Sequence, residues 1–246
     1  LNQIGCLEPT IDLVVQDAGG FLFRLPGVEV PVNEGPVTAA FPVTRELADG
    51  TVVTANYPLS VVSIEVTGTS SMDLKGEIVG EVSMRILAGD DQRTAVVIPE
   101  TDSWEGWVAE PAGHGLARIP SVEVSTPETD GTIRATLRSG SVGLFNFSVP
   151  ELVFGMWPQR SIPTEIPAVV TSTLLTATGS AVGDTIDIGQ PFGQQSGVIT
   201  ATIDLFPSVA AGQGEAVILD LPTAQAMGYS PGYPIVGAAE YWLRVD

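Results

Sequence analysis

The chain has 246 residues, 44% of them hydrophobic, and carries 29 acidic against 10 basic side chains, a formal net charge of −19. That length and apolar content suffice for one large or two ordinary packed domains, while the charge repels the phosphates of nucleic acid and of anionic lipid and excludes a nucleic-acid partner. One cysteine, Cys6, cannot form an internal disulfide, and one histidine, His114, cannot build a multi-histidine metal site.

Glycine (27) and proline (19) punctuate the chain at short intervals, and the runs between them are rich in Val, Ile, Thr and Phe. That pattern predicts many short strands joined by turns. In chain order, strands are expected at Ile11–Val15, Phe21–Phe23, Val37–Val43 and Thr51–Val53, with turns at Asp17–Gly20 and Glu46–Gly50. Leu59–Val66 is the cleanest early strand, followed by a small polar connection at Thr67–Ser71. Further strands are expected at Glu77–Leu87, Thr94–Ile98, Ser103–Val108, Ser121–Ser125, Gly131–Arg138 and Leu144–Val149. No helix of three or more turns is expected before about residue 165, so this part reads as an antiparallel β-sandwich, jelly-roll-like in texture. Prolines cluster from Phe154 to Pro163, and the boundary is placed there: a β-sandwich over 1–157 and an α+β module over 158–246. In the second part, Thr171–Thr178 predicts a short helix, Gly179 stands where a left-handed cap needs a residue without a Cβ, and Thr185–Ile188 alternates as a strand. A second short helix is expected over Pro222–Met227, with proline near its first turn and Gly228 ending it.

Catalytic signatures are few. His114 lies in Pro-Ala-Gly-His-Gly, which is no nucleophile-elbow context, and Lys75, the only lysine, sits in no phosphate-binding loop. Asp90–Asp91 and Thr129–Gly131 read as turns before they read as calcium ligands. No catalytic, cofactor or metal residue is therefore expected. The surface candidate is Trp104-Glu-Gly-Trp107: residues three apart on a strand point to opposite faces, so one indole can enter the core while the other offers a platform for a sugar ring. No run of about 18 or more uncharged apolar residues is present to span a bilayer.

Four segments in order carry a family resemblance: the stretch Ile166–Gly189 with Gly179, Val182, Gly183 and Asp184; the strand through Val198 that ends at Phe206-Pro207; Ala216–Met227; and the closing Glu240–Asp246 around Trp242. Together they resemble the extracytoplasmic region of ABC transporter permeases of the FtsX/MacB/LolC-LolE type, over roughly Ile162–Asp246. The resemblance implies a non-catalytic domain on the extracytoplasmic side of the cell membrane, here without its membrane anchors. The transmembrane segments and a cytoplasmic ATP-binding subunit would lie outside this chain, and ATP-driven motion would be coupled to an envelope protein, lipoprotein, glycan or other substrate. The alternative reading is a secreted glycan-binding β-sandwich protein.

Overall fold

The computed structural model describes residues 9–30, 41, 43–46, 50, 52–69, 78–85, 96–97, 104–109, 121–124, 132–139, 151–158, 162–189, 195–204, 214–229 and 235. These form fifteen strands and two helices, and the fold is mainly β. The strands are β1 (Thr10–Gln16), β2 (Leu22–Glu29), β3 (Thr44–Glu46), β4 (Val52–Thr54), β5 (Leu59–Thr69), β6 (Ile78–Arg85), β7 (Val96–Val97), β8 (Trp104–Ala109), β9 (Ser121–Val124), β10 (Thr132–Ser139), β11 (Glu151–Pro158), β12 (Ile166–Thr171), β13 (Thr185–Ile188), β14 (Gln195–Ile203) and β15 (Val217–Leu219). The helices are α1 (Ser172–Thr178) and α2 (Leu221–Gly228). Two compact units are formed: Leu1–Gly19, Phe23–Arg160 and Pro231–Tyr233 make the first, and Gly20–Leu22, Ser161–Ser230 and Pro234–Asp246 the second.

In the first unit the principal sheet runs β2-β1-β5-β11-β8, with the short β7 pairing parallel to the start of β5. β5 is its spine, antiparallel to β1 on one side and to β11 on the other. Every residue from Val61 to Val66 is buried, so both faces of the sheet are covered there. One face is apolar: Leu13, Ile64 and Met156 lie in register across three strands, as do Ile11, Val66 and Phe154 in the next row. Burying such a row removes apolar surface from water at about 25 cal/mol per Å². A second antiparallel sheet, β6-β10-β9, sets Ile133, Ala135 and Leu137 opposite Met84, Val82 and Gly80, the alternation expected from the sequence. β9 packs beside β8 and β11.

Several expectations are corrected. Of the strand expected at Val37–Val43, only Phe41 and Val43 are among the described residues, and neither is in a strand; the β3–β4 ladder begins at Thr44, and Gly50 stands at φ 83°. Residues 67–69, expected to be a connection, continue β5, because Thr67 and Thr69 pair with β11. The break at Phe154–Pro158 is instead β11, a strand hydrogen-bonded on both sides; its proline is the last residue, where a missing N–H interrupts the ladder least. Leu144–Val149 and the closing Glu240–Asp246 lie outside the described residues.

The second unit is a mixed four-stranded sheet, β13-β14-β12-β15, with β12 and β14 parallel. Ile166, Ala168, Val170 and Ile199 are fully buried, and α2 packs against β12 with Ala224, Gln225 and Ala226 buried. β15 pairs only with Ala168–Val170, so Pro167 lies beyond that ladder, and its carbonyl accepts from the Asp220 amide.

Candidate functional site

The polar face of the principal sheet is built by register. Asp12 on β1 stands opposite Glu65 on β5, Glu65 opposite Gly155 on β11, and Gly155 opposite Trp107 on β8. Residues paired in this way share a face of the sheet, so one row crosses four strands. Arg24 on β2 completes it: its guanidinium pairs with Glu65 and approaches Asp12 Oδ2 at 3.7 Å. The row holds two carboxylates and one guanidinium. The Glu65 side chain is 1% exposed, while those of Arg24 and Asp12 keep 26% and 21% of their surface. Burial pushes the Asp12 carboxyl above its usual range; Arg24 opposes the shift and the negative Glu65 adds to it. A buried ion pair of this kind is a weak source of stability in itself, but breaking it by removing one partner is costly. Here it ties β1, β2 and β5 together, and Gly27 backs onto it, since a side chain there would meet the Asp12 carboxylate.

At the other end of the row, Gly155 leaves a gap that the Trp107 indole fills. A Cβ on Gly155 would lie 2.6 Å from Trp107 Cζ2 and 2.8 Å from Cε2. The indole therefore lies over β11, and Trp107 is half-buried. Trp157 pairs with Glu105 on the neighbouring register position and belongs to the same face; it too is half-buried, and Glu105 is exposed. Trp104 takes the other face, opposite Pro158, and is 6% exposed. The indole N–H groups of Trp104 and Trp107 are buried without a hydrogen-bond partner among the described residues.

The other residues singled out in the sequence serve local geometry. Gly179 follows α1 at φ 71° and donates its amide to Leu175, closing the helix in the left-handed conformation. Ala181–Asp184 is a turn closed by Asp184 N to Ala181 O at 3.1 Å, with Gly183 at φ 99° in the third position and the Asp184 carboxylate accepting from the Ala181 amide at 2.8 Å. Gly183 and Asp184 then both bond Ile199, which joins the turn to β14. At the N-terminus of α1, Thr171 caps the Leu174 amide, and Thr171 and Thr173 both donate to Gly214 O. α2 ends differently from expectation: Gly228 is its last helical residue, and the cap is Tyr229 at φ −68°. Phe206, Pro207, Trp242, Cys6, Lys75, His114, Asp90–Asp91 and Thr129–Gly131 lie outside the described residues. Among the described residues there is no group of His, Cys, Asp and Glu suited to a metal, and no helix long and apolar enough to cross a membrane.

Sequence reading missed Arg24, Asp12, Glu65 and the diagonal placement of Trp107 and Trp157 on one face. A signal existed: each of the three charges interrupts an apolar run, in Phe-Leu-Phe-Arg-Leu, Ile-Asp-Leu-Val and Ile-Glu-Val. Charges inside strands that are otherwise buried must find one another. No family model, curated protein or solved structure matches this chain.

Proposed function

We propose that the chain is a non-catalytic extracytoplasmic domain of an ABC transporter permease of the FtsX/MacB/LolC-LolE type. In this reading the first unit is a jelly-roll-like sandwich and the second a MacB-like periplasmic module. The observation that carries it is the order of parts in the second unit. A strand, a glycine-capped helix, a Val-Gly-Asp turn, a hairpin, and a strand leading through Asp220 into α2 follow one another as the resembling segments do. The residues that carry the resemblance have work to do in that order: Gly179 ends α1, Gly183 and Asp184 turn the chain into β13, and Asp220 caps α2 by accepting from Thr223 at 3.0 Å. The domain would respond to ATP-driven motion of transmembrane helices and engage an envelope protein, a lipoprotein or a transported substrate.

The test uses the full-length gene product. Expressed in its own host with an affinity tag, it should sediment with membranes and co-purify in detergent with a subunit carrying a phosphate-binding loop. Recovery of the full-length protein in the soluble fraction, with no such ATPase attached, would overturn the proposal.

A further inference from the structure

We infer that the β8–β11 margin of the polar face, beyond the covered β5, binds a neutral glycan chain, with Trp107 and Trp157 as its stacking surfaces. The two tryptophans occupy diagonal positions on β8 and β11, since Trp107 pairs with Gly155 and Trp157 with Glu105. Diagonal positions in an antiparallel pair are roughly 7–8 Å apart, close enough for two large rings to form one surface. Both side chains are half-buried, whereas Trp104, on the opposite face, is sealed at 6% exposure. With no side chain on Gly155, the Trp107 indole lies over β11.

The chemistry alongside selects the ligand. On the far side of β5 the Asp12 and Arg24 side chains keep 21% and 26% of their surface, and Glu105, beside the indoles, is exposed. A pyranose offers an apolar C–H face to an aromatic ring and hydroxyls to carboxylate and guanidinium groups at its edge. The row of Asp12, Glu65 and Arg24 carries one net negative charge and the whole chain −19, so a uronic-acid or sulfated polymer is repelled. The ligand class is therefore a neutral hexopyranose chain. The inference stands apart from the permease reading, because it rests on the first unit alone.

Calorimetric titration of the intact 246-residue chain with cellohexaose and with chitohexaose tests it, with tryptophan emission followed in parallel. Saturable binding of at least one of them is expected, with a change in emission. Trp107→Ala and Trp157→Ala should each weaken it about tenfold, the scale of one aromatic contact. Trp104→Phe, on the far face, should leave it within about threefold. Trp107→Phe keeps a ring over Gly155 and serves if the alanine variant does not fold; its loss should be smaller than that of Trp157→Ala. A tetragalacturonate control should not bind. Failure of both neutral oligosaccharides to bind at millimolar concentration, full affinity in both Trp107→Phe and Trp157→Ala, or preferential binding of the tetragalacturonate would each overturn the inference.

Discussion

Gly155 admits no side chain, and two neighbours explain why. A Cβ there would fall on the Ile64 carbonyl oxygen and against the Trp107 indole. The backbone cannot yield without breaking the β5–β11 ladder, so Gly155→Ala should cost about 3 kcal/mol or more in urea unfolding. In a Trp107→Ala background the same change should cost less, because only the Ile64 contact remains; a cycle with no coupling between the two positions would contradict the packing described. Asp12 gives a prediction of opposite character. Its carboxyl is raised in the folded chain chiefly by burial, so its contribution to stability is fully present below its ordinary value of 3.8 and is lost as pH rises through the raised one. Asp12→Asn removes that titration while leaving an oxygen for Arg24. Relative to the parent, the variant should therefore gain stability between pH 3 and pH 7. Thermal melts at pH 3, 5 and 7 check this, and a variant that loses ground toward pH 7 would show that Arg24 outweighs burial.

At the scale of elements, the second unit was the more legible. Its signals are local: Thr171 before an apolar run, Gly179 after it, a Val-Gly-Asp turn, and Asp220-Leu-Pro at a helix start all act within a few residues. Thr171 does more than cap, because its hydroxyl also accepts from the Ala216 amide and donates to Gly214 O. Thr171→Ala should accordingly cost about 2 kcal/mol, the upper end for a cap, and Gly179→Ala about 1 kcal/mol for forcing a Cβ into the left-handed region. Equilibrium unfolding of the two variants separates these, and a Thr171→Ala cost no greater than that of Gly179→Ala would mean that the Ala216 and Gly214 bonds add nothing. In the first unit, strand existence was readable from alternation, as in β5 and β10. The partners of each strand were not. In the sequence β11 reads as a break because Gly155 and Pro158 are poor strand residues and prolines cluster from there to Pro163. Only the pairing with β5 and β8 gives its residues a reason: the glycine makes room for Trp107, Trp157 lies on the polar face, and the proline ends the ladder. The polar row was hidden for the same cause, since Asp12, Glu65 and Trp107 are distant in sequence and meet only through register.

At the scale of the whole molecule, the chain does not divide at a single cut. Gly20–Leu22 belong with the second unit although most of the preceding and following chain belongs with the first, and the Leu22 amide donates to Gln225 Oε1 at 3.0 Å. Leu22 is fully buried and Gln225 is 2% exposed, so this bond sits in the second unit's interior. A fragment that starts at Ser161 contains both helices and the mixed sheet but lacks that strand segment. Its Gln225 carbonyl loses a buried donor, a change worth roughly 1–3 kcal/mol, and the apolar surface covered by Leu22 returns to water at a further cost of about 2 kcal/mol. Residues 161–246 expressed alone should therefore unfold at lower urea than the second unit does within the intact chain. The second unit's transition can be assigned in the intact chain with Ile199→Ala, which removes a fully buried side chain and should lower that transition by about 2–5 kcal/mol. Adding back a peptide spanning residues 17–27 should raise the fragment's midpoint, the gain growing with the logarithm of peptide concentration above its Kd, as ligand binding to a folded state requires. A fragment as stable as the unit in the intact chain, with no response to the peptide, would show that Gly20–Leu22 is not an integral part of the second unit.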